Sequence, residues 1–494
     1  MFTHSRYTVA LLLAASFTAP AAASVITTTS PKTAAPASTL PTAALPGPFE
    51  DGTRGGFGMT LEKKKLPSVA ANSNVKARDD FNSDIVDNWL VKMNFGTPPQ
   101  LLELSLDLGS DGVVVESTLM PKDMQTVDYP IFNPNDSTTA HQLDNLTWEA
   151  TYGGFSLVGD IYTDVVTLGE STFKNITMEV VTGQPTGSVL TTASGIFGLS
   201  AHLFASGASS PVPSFLGSVV GQLADLVFTL WFNNTLNDGS TVPDGQINFG
   251  FIDDTLYTGD IAYTPLTNPE GSIFWEIEIA GIGAADPVTG DLLFSNMTKF
   301  TTILDTGNGQ TEIPLAALWG WYGGMPGSIL DDGGHCWDYV CSIGDSLPDM
   351  VFFIGDQAVV APRNTYGWWE NMNPKNGEPN VNYCTGHVRP SDYFSGGQNS
   401  IGQDILDGLF LVLDYQNKRV GFANSTVMTM DSSFSIPGVG SGSGSGSGSS
   451  SGTCSYTNSD ETIKPSITGC TGEKFAGTCS QIAVNISACT PMDS

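Results

Sequence analysis

The chain has 494 residues, enough for two sizeable cores, and carries 50 acidic against 19 basic side chains, a formal net charge of −31. Such a surface repels nucleic acid and anionic membranes, so neither is an expected partner. Residues 1–78 hold eight Lys/Arg and three Asp/Glu, a balance of +5, which leaves −36 for the rest. Few amines gain protons as pH falls, and this composition fits acidic surroundings as well as plain solubility.

Arg6 is followed by YTVALLLAASFTA and then PAAAS, a short apolar core ending in small residues. Residues 1–23 therefore read as a secretory signal peptide cut after Ala23, and the protein as secreted and extracellular. The core is too short to span a bilayer. The nearest later candidate, FLGSVVGQLADLVFTLWF, is interrupted by Gln222 and Asp225 and reads as a buried helix. Residues 24–78 are rich in Ala, Thr and Pro and then basic, EKKKLPSVAANSNVKAR. A basic segment before an acidic body reads as a removable propeptide held by charge, through Lys63, Lys64, Lys65 or Lys76, and cut near Arg78. The alternative is a disordered arm that stays attached.

From about 84 to 430, short runs such as NWLVKMNF, GVVVES, DMVFFI and LFLVLDY alternate with Gly, Pro, Asn and Asp. The reading is an all-β body of two lobes, 79–265 and 266–432, with few short helices, the clearest helical period lying at 214–231. Residues 433–452 are a Gly/Ser linker. Residues 453–494 hold Cys454, Cys470, Cys479 and Cys489, which allow three pairings in a small stapled tail. That tail is a candidate for binding cell-wall glycan or protein. Seven Asn-x-Ser/Thr acceptors (Asn135, Asn145, Asn175, Asn233, Asn296, Asn424 and Asn485) agree with a secreted glycoprotein.

Two stretches repeat. LSLDLGSDG places Asp107 after a short apolar run, and TILDTGNGQ places Asp305 the same way, 198 residues later. SGIFGLS then puts Gly198 91 residues after Asp107, and NSIGQDI puts Gly402 97 residues after Asp305. A single Asp-x-Gly is ordinarily a turn. An ordered pair of matching elements, twice, argues for two lobes built alike. Two carboxylates brought together cannot easily both ionise, so they hold one proton between them. One can then take a proton from water while the other gives one to a substrate carbonyl.

On these residues the chain resembles the pepsin-like aspartic proteases from about Trp89 to Asn424. NFGTPPQ, FNP at 132–134, LPDMVFFI and LVLDYQNKRVGFA match further characteristic stretches. The resemblance implies a bilobal acid protease fold with a cleft between the lobes, and an endopeptidase active at acidic pH and made as a zymogen. It implies Asp107 and Asp305 as the catalytic pair, supported by Gly109, Ser110, Thr306, Gly307 and Asn308. EATYGGFSLVGDIYTDVVTLG looks like the flap hairpin, with Tyr152 and Gly153 over an extended peptide substrate. Residues at Ser110 and Asn308 would hydrogen-bond the outer carboxylate oxygens; by its own turn chemistry Asn308 is an Asx-turn residue. Cys341 and Cys384 fit the family's disulfide, leaving Cys336 over.

Three positions depart from the pattern. Leu108 replaces the threonine that crosses to the other lobe, Val114 stands where the flap tyrosine's tryptophan partner belongs, and Gln403 where aspartate is common. These departures motivate the alternative of a pepsin-fold binding protein with little turnover. No cofactor or metal is expected, because His4, His141, His202, His335 and His387 are scattered without metal-binding spacing. A monomer is expected.

Overall fold

The computed structural model describes residues 54–64, 88–125, 129–152, 155–186, 193–233, 244–323, 328–330, 337–340, 347–355, 357–361, 368–371, 383–386, 388–394, 397–426, 466–470 and 479–483. The chain divides into two units, residues 1–436 and 437–494.

The first strand is unexpected. β1 (Phe57–Lys64) lies inside the segment read above as a detachable propeptide. It pairs antiparallel with β2 (Asn88–Phe95), which in turn pairs with β3 (Gln100–Asp107). Side chains on β3 alternate, so Leu102, Leu104 and Leu106 enter the core while Leu101 and Glu103 face outward. Asp107 is the last residue of that strand.

β4 (Val113–Val115), β5 (His141–Tyr152), β6 (Phe155–Leu168), β7 (Ser171–Thr186) and β8 (Gly195–Gly198) follow in the first lobe. β8 runs parallel to β3, with Asp107 opposite Gly198, and antiparallel to β4. The second lobe repeats this wiring. Strand Phe300–Leu304 runs parallel to Ser400–Ile401, which is antiparallel to Glu312–Ile313. Asp305 follows its strand just as Asp107 ends its own.

The repeated glycines explain themselves at this point. A Cβ on Gly198 would sit 2.7 Å from the Ser110 carbonyl and the Gly112 nitrogen, and one on Gly402 2.5–2.7 Å from the carbonyls of Asn308 and Gln310. In both lobes the aspartate turn lies directly on a glycine, which no larger residue permits.

β9 (Val227–Phe232) and β10 (Gly245–Phe249) join the lobes through a sheet continued by Leu409–Asp414, Arg419–Ser425 and Tyr257–Pro265. The helix expected over 214–231 is corrected here: only Phe215–Val219 is α-helical, Val220–Gln222 is a 3-10 turn, and β9 follows. β9 is buried at every position, between β10 and Leu409–Asp414. A strand buried on both faces loses its period-two pattern, so its sequence cannot be told from a buried helix. The longest helix among the described residues, Leu315–Gly323, packs in the second lobe.

One apolar cluster extends through both lobes, and the Trp275 indole crosses between them to donate to the Leu199 carbonyl at 2.8 Å. In the second unit, strands Ser466–Cys470 and Cys479–Ala483 pair with Cys470 opposite Cys479. Among the described residues no helix is long and apolar enough to cross a membrane.

Candidate active site

The two aspartate turns meet face to face. A Cβ added at Gly109 would lie 2.5 Å from Asp305 Oδ1, and one at Gly307 2.6 Å from Asp107 Oδ1 and 3.2 Å from Asp305 Oδ1. Each glycine therefore leaves room for the other lobe's carboxyl group. The two carboxyls are in hydrogen-bond contact. Asp107 is buried and Asp305 partly exposed.

Each carboxyl is held by its own turn. Asp107 Oδ1 accepts from the Gly109 N–H at 2.7 Å and Oδ2 from the Ser110 hydroxyl at 2.6 Å. Asp305 Oδ1 accepts from the N–H groups of Gly307 at 2.9 Å and Asn308 at 3.1 Å. Burial is the main force pushing both acids above the usual carboxylate range. At Asp305 the Asp107 charge adds to burial, and at Asp107 hydrogen bonds from Ser110 and Gly109 offset part of it. Such a pair titrates as a unit and retains one proton over the acid range.

Thr306 supplies the cross-lobe lock alone. Its hydroxyl donates to the Leu106 carbonyl and accepts from the Leu108 N–H, both at 3.0 Å. Leu108 buries its side chain completely in the apolar core instead of reciprocating. Thr306→Val should leave two buried backbone groups without partners, at roughly 1–3 kcal/mol each. Loosening the turns should also lower kcat by about 10–100-fold with a smaller change in KM. Thermal melts and steady-state kinetics of the variant check this; an unchanged kcat would contradict the lock.

The side-chain role that the resemblance implies for Asn308 is corrected. Its Nδ2 donates to Ser400 Oγ at 2.9 Å and its Oδ1 accepts from the Gln310 N–H at 3.2 Å, an Asx turn. Its backbone N–H is the group that reaches Asp305, while the amide turns toward Ser400 and Gln310. Tyr152 ends β5 and stacks on Phe155 at 5.3 Å. Burial, followed by the Asp107 charge, drives its phenol well above the usual tyrosine range, with Ser110 a smaller opposing influence. Val114, fully buried, belongs to the apolar cluster on which Tyr152 packs. Gly153 and Cys341 lie outside the described residues, and Cys384 falls in the strand Tyr383–Gly386.

Of the lysines expected to cover the cleft, Lys63 pairs with Asp407, its Nζ 3.6 Å from Oδ2. Lys65 and Lys76 lie outside the described residues. Among the acceptor asparagines, Asn135, Asn145, Asn175 and Asn424 are exposed, and Asn296 is half-buried. Asn233 is buried, at 1% exposure. Asn485 lies outside the described residues.

Sequence reasoning missed the groups behind the first turn. Asp111 accepts from the Ser206 N–H at 2.8 Å and the Ser206 hydroxyl at 2.6 Å, and lies 3.3 Å from His202 Nδ1. The His202 ring is pushed above its usual range chiefly by that contact. Glu179 on β7 is buried against Gly112, and its Oε2 has no partner. Burial, with the Asp111 charge second, pushes it up to about 8. The available signal was one acid inside the apolar run MEVV. No group of three or more His, Cys, Asp or Glu among the described residues is arranged to hold a metal ion.

Two similar β lobes, each presenting an Asp-x-Gly turn to the other, define the architecture of a bilobal aspartic protease. The sequence profile of the eukaryotic aspartyl protease family matches residues 88–425. The chain is 29% identical over 378 residues to aspartic protease pepA of Arthroderma gypseum, covering 74% of this chain and 86% of that protein. It is 32% identical over 286 residues to endothiapepsin of Cryphonectria parasitica, covering 56% and 62%. In fold it is similar to the crystal structure of the aspartic proteinase from Irpex lacteus, with a TM-score of 0.54, 24% identity, and coverage of 70% of this chain and 96% of that one. The chain belongs to the eukaryotic aspartyl protease family, whose members hydrolyse peptide bonds.

Proposed function

We propose that this chain is a secreted endopeptidase working at acidic pH, with Asp107 and Asp305 as its catalytic acid–base pair. The observation that carries the reading is the reciprocal fit of each turn's glycine against the opposite carboxyl. A water between the two would lose a proton to the charged member while the protonated member donates to the substrate carbonyl, giving a tetrahedral gem-diol. The pair then gives its proton to the amine nitrogen and takes one from a gem-diol hydroxyl as the C–N bond breaks, which leaves a carboxylic acid, an amine and the pair as it began. An extended peptide would lie beneath Tyr152, adding strand-like hydrogen bonds, and closure of that hairpin would exclude water. Ser110 would position Asp107 and Tyr152 together. The leader and the basic segment support export and latency, and the acidic body an acidic workplace.

The direct test is acid incubation of the purified protein with denatured globin, with and without a statine-type peptide. Inhibitor-sensitive cleavage rising toward acidic pH is expected. No such cleavage would favour the binding-protein reading, and Leu108→Thr would then show whether the missing hydroxyl was responsible.

A further inference from the structure

We propose that the strand Phe57–Lys64 is a permanent part of the folded enzyme and stays in place after any cut near Arg78. The inference rests on processing of the basic segment, but not on which residues are catalytic.

β1 is an interior strand. On one side it pairs with β10 from Phe57↔Phe249 to Leu61↔Gly245, and on the other with β2 from Glu62↔Leu90 to Lys64↔Asn88. Removing it would uncover two sheet edges at once. Phe57, Met59 and Leu61 point into the main core at 7%, 9% and 1% exposure. The Phe57 ring packs 5.0 Å from Phe173 and 4.8 Å from Phe249. The fit extends to the preceding residues. A Cβ on Gly56 or Gly58 would strike Phe251 or Asn248, and Gly55 exchanges backbone hydrogen bonds with Gln222 and Ala224 at 3.1 and 2.9 Å.

Lys63 adds an ion pair to Asp407, which also accepts from the Trp89 indole at 2.6 Å. Burial pushes Asp407 up to about 7, with Lys63 the largest opposing influence. In acid Asp407 is neutral and the pair fades, yet the three apolar side chains and the backbone ladder are indifferent to pH. Acid alone therefore does not release the strand.

Nor does the new N-terminus supply a substitute. The nine residues between Arg78 and Asn88 read DDFNSDIVD. To replace β1 they must turn before Asn88 and run back with apolar residues at three alternate positions. With the shortest turn, two residues, Asn82 falls in the place of Leu61 and Asp80 in that of Met59, and nothing reaches the place of Phe57. One more turn residue brings Phe81 to Leu61's place but Asp79 to Met59's. Either register buries polar or charged groups where the core needs hydrocarbon.

The experiment is native gel filtration at acidic pH of the matured, secreted full-length product, followed by denaturing mass spectrometry of the folded peak. Residues 57–64 are expected in equal molar amount with the body, either in the uncut chain or as a bound fragment ending near 78. A cooperatively folded peak made only of chains beginning at or after 79 would overturn the proposal. Leu61→Ala gives a second readout on the matured product. Its melting temperature should fall by roughly 5 °C or more, whereas a disposable strand predicts a matured product identical to the parent.

Discussion

Asp305→Asn is expected to lower peptide hydrolysis by at least about 10⁴-fold, with the melting temperature nearly unchanged at acidic pH. Asp107→Asn should do the same. The amide keeps the shape that Gly109 faces across the cleft, so the packing of the turns is preserved. What disappears is the single proton shared by the two facing acids, since an amide neither accepts water's proton nor gives one to the leaving amine at working pH. The loss should fall almost wholly on kcat, because a bound peptide is held along its backbone rather than by this pair. Either variant turning over peptides at a substantial fraction of the parent rate would remove that residue from the proposed pair.

The second large effect concerns pH and stability. Burial raises Glu179 to about 8, Asp407 to about 7 and Asp404 to about 6, and the Asp107–Asp305 pair is raised as well. These acids hold protons in the folded state that the unfolded chain has already released. Their contribution is complete below the ordinary carboxylate range and is lost as pH rises through their folded values, so stability falls between about pH 4 and pH 8. Glu179 alone accounts for roughly 3–5 kcal/mol of that loss above its folded value. Glu179→Gln, which cannot ionise, should flatten the decline and raise the melting temperature at pH 8 while changing little at pH 4. Thermal melts across pH 3–8.5 decide it. Parallel curves for parent and variant would show that the Glu179 charge is not buried.

Much of the site was legible because the two lobes are built alike, and a repeat leaves a periodic trace: Asp107 and Asp305, then Gly198 and Gly402. The strand-turn signals that place those aspartates are local. The misread parts depend on partners distant in sequence. β9 becomes a strand because it is clasped between β10 and Leu409–Asp414, a fact its own apolar run does not encode. The basic character of 24–78 hid the alternation of Phe57, Met59 and Leu61, which matters only once β10 and β2 leave a gap between them. Asn308 occupies the matching place in its turn, yet Ser400 claims its amide from 92 residues away. Asp111 and Glu179 carried no motif, since their effect comes from burial behind the first turn.

Two carboxyl groups acting on one oxygen are the centre of the proposed chemistry. A crystal structure of the matured protein with a statine-type peptide measures this directly. The statine hydroxyl is expected within 2.5–3.2 Å of both Asp107 and Asp305, beneath Tyr152. A peptide seated elsewhere, or a hydroxyl reaching only one of the two aspartates, would contradict it.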